Sequence, residues 1–519
     1  MLFTTVLGLF FGAWGIIYAI DIYLRYAYLS GYLQFTQSNG IQISPFQIRW
    51  YTRRVNRLIL DSFHCCTESK RRIAQTWFSL GAVTCLAVLT GTVLLLSRLL
   101  VNQAASIWYH FNPITSPSFQ DRPSGDADET HSVQLIPIIP GLTIPLSDLP
   151  VLILVLLICG LWHELGHAYA AIAEGVGVTG FGLFFLGIYP GAFTELDSTE
   201  LVLVSPWRRL RIYGAGIWHN LTLVALGLLL LSSLPWLLCC GYAVNHGLTV
   251  LHVDPYSGFD GPAGLQPGNV LVSVNDCPVQ DFQSWEDCMT KLHDTIAGHC
   301  VSRDLVTANK STQQQITAFG SEIVCCPALD EQSSGSHLCF YYFDELNAWL
   351  ESYACLPARS TAQQSRCNST SAGLSCESNS VCAFPALFND TKLIRLRLAS
   401  HDRTVLLVGT TKSIQRSIAL SEYVRLRSWL PLFLPIFLDG VLKYLITISL
   451  ALAALNSMPC YGLDGQFIVA TVLDWSMSSR RSVLTDRRDF YYRAILGLGT
   501  ILLASNILCS LTLLVLQIL

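Results

Sequence analysis

The sequence predicts a polytopic α-helical membrane protein of about six transmembrane helices, with re-entrant elements and one large Cys-rich, β-containing lumenal insert. Three observations predict it. Of the 519 residues, 51% are apolar and only 13% charged, against roughly 25% charged in soluble domains. Several runs reach the about 20 apolar residues needed to cross a hydrocarbon core. Ten of the 18 cysteines fall between Cys277 and Cys382, in the largest hydrophilic region. A net charge of −4 gives no reason to expect a nucleic-acid partner; the partner that the composition implies is the lipid bilayer.

Residues 1–100 hold the first two spans and a basic loop between them. The first span, from about Leu2 to Tyr23, has no basic leading segment and no clear cleavage site, so it reads as a retained anchor. The second lies near Trp77–Leu100. Between them, Arg25, Arg49, Arg53, Arg54, Arg57, Lys70, Arg71 and Arg72 stand against only Asp61 and Glu68, which marks a cytosolic loop. The next segment, 101–149, carries Asp121, Asp126, Asp128, Glu129 and Asp148 against Arg122 and reads as a flexible acidic loop on the lumenal side.

A hydrophobic block at 150–240 contains spans near Pro150–Ile172 and Tyr213–Leu238, and a second block at 429–519 contains spans near Leu430–Leu455 and Tyr492–Leu516. Arg208, Arg209 and Arg211 mark a return to the cytosol, as do Arg480, Arg481, Arg487 and Arg488. Between the blocks lies the insert, 245–428. An even number of cysteines crowded into one soluble region reads as disulfides in an oxidising compartment. Sequons at Asn309, Asn368 and Asn389 share that region and fit the same side of the membrane. Zinc knuckles are the rival reading, but Cys325–Cys326 and the irregular later gaps lack paired C-x-x-C spacing.

The insert opens with "GPAGLQPGNVLVSVNDCPVQDFQSW", in which Val270, Val272 and Val274 alternate before a polar turn at Asn275–Asp276. Such alternation predicts strands joined by glycine turns. The texture resembles the middle of a PDZ domain, a fold that captures peptides by strand addition; a generic small β domain is the alternative. "TKLIRLRLAS" and "TVLLVG" resume the alternation after the Cys-rich part.

The chemistry concentrates in "CGLWHELGHAYAAIA". His163 and His167 stand four apart, so on a helix they share one face and can hold one metal ion, with Glu164 placed to take a proton from water. The apolar run Val151–Leu161 leads straight into them. Ionisable residues at that depth are costly and mark function. A catalytic zinc site takes three protein ligands and leaves one position open. Glu174, Glu195 and Asp197 follow nearby without a metal-facing context, whereas "ALNSMPCYGLDGQFIVATVLDW" ends a spanning run and presents Asp464 after the breakers Pro459 and Gly462. Irregular backbone at membrane depth is tolerated where it is buried in protein or lines a cavity.

With H-E-x-x-H in one span, and Asn456, Pro459, Leu463, Asp464 and Gly465 meeting N-x-x-P-x-x-x-L-D-G in another, the chain resembles the site-2 protease family of intramembrane metalloproteases. "FFLGIYPGAFTEL", "LRIYGAGIWHNLTL" and the Cys-rich insert point to the branch that acts on membrane-bound transcription factors. The resemblance implies one zinc ion per chain, held by His163, His167 and Asp464, with Glu164 as general base. It sets Asn456 and Asn220 near substrate or oxyanion. Asn220 also begins an N-L-T sequon, but its place in an apolar span argues against glycosylation. His219 is either catalytic or a helix-packing partner. "GFGLFFLGIYPGAF" reads as a re-entrant segment or strand that could line a substrate helix.

The resemblance further implies substrates that are membrane-anchored transcription-factor precursors, trimmed by a prior lumenal cut. These include the sterol regulatory element-binding proteins, of cholesterol metabolism, and a stress factor of the unfolded protein response. It implies a glycoprotein of the Golgi or endoplasmic reticulum with its active site toward the cytosolic face. Two other classes fit an intramembrane His, Glu and Asp less well. A transporter or ion pathway would favour an inverted repeat, which is not visible, and a non-catalytic cargo-binding scaffold has no need of Glu164.

Overall fold

Apolar length becomes helix length in the computed structural model, which describes residues 2–52, 68–112, 137–477 and 485–518. Breaks fall at 140, 188, 262–263, 295–296, 312–314, 317–322, 327–336, 345–346, 369–375, 377–378, 388–389 and 400–402. Most of the acidic loop lies outside the described residues, as do Arg53, Arg54, Arg57, Arg480, Arg481 and the Asn389 sequon. Two compact units form, Met1–Ser232 with Gly440–Leu519, and Ser233–Asp439.

In chain order the first unit begins with α1 (Leu2–Ala27) and α2 (Leu29–Asn39), followed by β1 (Ile41–Ser44), β2 (Gln47–Tyr51) and α3 (Glu68–Phe111). Next come α4 (Leu149–Glu174), β3 (Val178–Leu186), β4 (Tyr189–Leu196), α5 (Ser198–Leu203) and α6 (Pro206–Leu237). After the second unit the chain returns through α7 (Leu434–Ser457), α8 (Asp464–Met477) and α9 (Thr485–Ile518). Five helices among the described residues, α3, α4, α6, α7 and α9, are long and apolar enough to cross a membrane. The 26-residue α1 occupies the first expected span. The span expected from Leu430 becomes helical only at Leu434: Pro431 turns Leu430 away from the helical region, and Pro435 is tolerated because it falls in the first turn.

Helices inside a bilayer gain no hydrophobic drive from meeting one another, so close approach through small residues and interhelical hydrogen bonds must hold them. A side chain at Gly166 on α4 would collide with the Ala215 carbonyl on α6, and one at Gly81 on α3 with Trp218. Between α3 and α9, Gln103 Nε2 donates to Ser510 Oγ at 2.9 Å and Asn506 Nδ2 to the Leu96 carbonyl at 3.1 Å. The strands β1-β2-β3-β4 form an antiparallel sheet in that order. The greasy segment read as re-entrant or strand is thus the β3–β4 hairpin.

The second unit contains two larger sheets. One places strands Thr404–Thr410, Thr391–Leu398, Val270–Val274, Leu248–Val253 and Ile418–Ser421 side by side. It packs Leu248, Val250, Leu271 and Leu396 against Trp285 and Met289 of the helix Phe282–Asp294. The other sheet, which includes Ala297–Ser302, His337–Asp344, Asn347–Pro357 and Ser380–Pro385, is inserted between strands of the first. All ten cysteines of the region pair: Cys277–Cys288, Cys300–Cys376, Cys325–Cys339, Cys326–Cys355 and Cys367–Cys382.

Candidate active site

α4 is apolar for most of its length and ends at Gly175, whose left-handed backbone (φ 76°) caps the helix. The four-residue spacing puts both imidazoles on the side facing α6, where His163 and His167 are 5% and 7% exposed. Asp464 follows the end of α7: it is the first residue of α8, after a break at 458–463 in which Gly462 takes a left-handed turn (φ 83°). Gly465 has its hydrogen against the Met458 carbonyl, a contact that no Cβ would allow, and so α8 can start this close to the end of α7.

Three donor atoms converge. Asp464 Oδ2 lies 2.8 Å from His163 Nε2 and 3.1 Å from His167 Nε2, and the two Nε2 atoms are 3.2 Å apart. The outer nitrogens decide what the inner ones can be. His167 Nδ1–H donates to the Ile212 carbonyl at 2.9 Å, which leaves a lone pair on its Nε2. His163 Nδ1 lies 3.1 Å from the side-chain amide of Asn220, a residue with no exposed surface. A half turn of that amide presents Oδ1, which has no other partner among the described residues, to an Nδ1–H, since amide O and N are set by the network around them. Both Nε2 lone pairs then face each other and a carboxylate. Such a cluster is repulsive unless a cation sits among its members. Tetrahedral zinc has ligand–ligand edges of about 3.3 Å at the usual bond lengths, close to the separations here, so the three residues fit a zinc ion.

A glycine lies against the cluster. A Cβ at Gly216 would run into the Nε2 atoms of both histidines. Glu164 follows the first histidine on α4, and its backbone carbonyl accepts from Thr194 Oγ1 of β4 at 3.0 Å. The hairpin therefore runs alongside the helix that carries the cluster.

The profile of Peptidase family M50 matches residues 151–498, more than half of the chain, and takes in every residue of the cluster. The chain belongs to Peptidase family M50. A curated relative, the membrane-bound transcription factor site-2 protease homolog of Arabidopsis thaliana, is 26% identical over 449 residues, or 77% of this chain and 81% of that protein.

In this M50 peptidase the remaining sequence-predicted residues part company. Asn220 joins the cluster through His163. His219 does not: its ring stacks between Trp162 and Phe78, its Nδ1–H donates to the Trp162 carbonyl at 3.2 Å, and its own carbonyl accepts from Trp162 Nε1 at 2.9 Å. It packs α6 against α4 one residue away from the cluster on each helix. Asn456, half-buried in the last turn of α7, has no hydrogen bond to the cluster among the described residues. Glu174, passed over as a ligand, is 1% exposed and clamped by Arg208 Nε at 2.7 Å and Arg211 Nη1 at 2.8 Å. Arg208 also donates to the Glu174 carbonyl, and Arg71 to that of Ala173. Sequence reading missed Gly216 altogether, because a glycine in an apolar helix looks like a packing residue.

Proposed function

We propose that the chain is a zinc-dependent intramembrane endopeptidase, with His163, His167 and Asp464 as the metal ligands and Glu164 as general base. The observation that carries this is the convergence of the three donor atoms within 2.8–3.2 Å on helices of a multi-pass membrane peptidase. When bound, zinc supplies Lewis-acid chemistry, polarising a carbonyl and making water acidic near neutral pH. The chain's own residues do the rest. The Ile212 carbonyl and Asn220 hold both imidazoles with Nε2 inward, as partners behind metal ligands do. Glu164 accepts the proton of the attacking water and passes it to the leaving amine.

A helical substrate hides its carbonyls in hydrogen bonds and must unwind before attack. The β3–β4 hairpin beside α4 supports a reading in which the unwound stretch lies along this hairpin toward Glu164. Substrates on this proposal are membrane-anchored transcription-factor precursors shortened by an earlier lumenal cut, a class that the relative's name supports. The sterol regulatory element-binding proteins are among them, released from Golgi or endoplasmic-reticulum membranes. The second unit, with its five disulfides and PDZ-like first sheet, would lie in the lumen and screen out untrimmed ectodomains.

The test is cleavage of a pre-trimmed, membrane-anchored substrate by wild type and Glu164→Gln, with bound zinc counted in both. Retained zinc with lost cleavage is the expected result. A variant that cuts as well as wild type would overturn the assignment.

A further inference from the structure

The segment just before α7 is built to a definite shape and yet turns its largest side chains outward. The pairing of Val424–Arg425 with Tyr242–Ala243 brings it back to the end of α6. Leu426 N–H then donates to the Gly241 carbonyl at 2.9 Å, Tyr242 Oη–H to the Pro431 carbonyl at 2.7 Å, and Arg425 to the Ser428 carbonyl at 3.2 Å. On this frame Trp429 is 75% exposed, Phe433 58% and Leu426 56%, and at the end of α6 Trp236 is 82% exposed.

Water is a poor place for that set, since a cluster of exposed Trp, Phe and Leu marks an interaction surface. The hydrocarbon core is excluded as well. Residues 426–433 are not helical and carry Pro431, and backbone of this kind facing lipid would leave polar groups unsatisfied at depth. The headgroup boundary satisfies both halves, and tryptophan is the residue most at home there. The place in the chain agrees, because α6 ends at Leu237 and α7 begins at Leu434, so the paired segments Tyr242–Ala243 and Val424–Arg425 each adjoin a spanning helix. Arg425 and Arg427 flank the apolar side chains, as cationic residues do beside membrane-seated ones.

We infer that Trp236, Leu426, Trp429 and Phe433 form an interfacial collar that seats the Ser233–Asp439 unit in the headgroup region of the leaflet where α6 ends and α7 begins. The occupant of this surface is lipid, not a second protein. The collar fixes both ends of the unit at one depth.

The test uses the full chain in phosphatidylcholine vesicles brominated either high on the acyl chains or near their ends. The emission of Trp429 is the difference between wild type and Trp429→Tyr, which keeps an interfacial aromatic and so should leave the fold intact; Trp236→Tyr gives a second, independent difference. Loss of both difference signals with shallow bromines, with less loss for deep ones and little for aqueous iodide, is the expected result. Quenching by iodide with indifference to bromine would overturn the proposal. So would stronger quenching by deep bromines, or protection from all three quenchers, which would mean that protein covers the site.

Discussion

At the scale of single residues, the site depends on what stands behind and between the three clustered side chains. Asn220→Ala removes the group behind His163 and should weaken zinc binding by about 10–100-fold, measured by chelator competition on purified protein; Asn220→Asp, which keeps an acceptor, should lose less. Gly216→Ala makes a sharper case. Alanine favours a helix by about 1 kcal/mol over glycine, so helix content should hold or rise. Its methyl, however, would press on the Nε2 atoms of both histidines. Zinc content and cleavage should both collapse while circular dichroism stays helical; a zinc-replete Gly216→Ala would refute this reading of the glycine. That His163 and His167 would face one point was legible in the sequence, because their spacing carries its own geometry. Asp464 was legible through the breakers around it. Gly216 was not, because what it avoids touching lies on another helix.

At the scale of elements, α6 is the strut on which the helices that carry the cluster are hung. Arg208 and Arg211 grip Glu174 at the end of α4, while Arg209 reaches Asp474 of α8 at 3.1 Å. Asp474 is held from α9 too, by Arg488 at 2.8 Å. Tyr213 stacks on Phe467 with ring centres 5.1 Å apart. Glu174→Gln would leave two partly exposed guanidinium groups without their carboxylate, so the expected loss is about 1–3 kcal/mol, read as a lower midpoint of unfolding in detergent. The helices themselves were legible from apolar length, and the β3–β4 pair from its glycines and aromatics. The arginines were read as markers of membrane side. Their partners lie 34, 37 and 265 residues away, and charge counting along loops has no access to pairs of that kind.

At the scale of the whole molecule, the second unit leans on its disulfides. Closing the 76-residue interval from Cys300 to Cys376 should stabilise most, by about 4 kcal/mol from loop entropy, against about 3 kcal/mol for the 11-residue Cys277–Cys288 loop. Paired Cys→Ser variants should melt in that order. Acid should act on the same unit through His299, 7% exposed and bonded to the Gln364 carbonyl at 3.4 Å. Burial holds its imidazole below the usual range. The folded state keeps it neutral, so the stability it contributes is full above the ordinary pKa of about 6.5 and drains away as pH falls toward the folded value. His299→Gln should flatten the dependence of melting temperature on pH between neutral and mildly acid buffers. That the cysteines would pair was legible from their number and crowding. Which would pair was not, since ten cysteines admit many connectivities and only the strand order of the inserted sheet selects one.

Asp464, finally, lies 301 residues beyond His163, the histidine it meets. A ribosome that has delivered α4 and α6 has made a histidine pair with no carboxylate beside it, and the whole second unit is still to be synthesised before Asp464 appears. On the proposed function, a chain cut short before Asp464 should hold no zinc and cleave nothing, whatever else of it has folded.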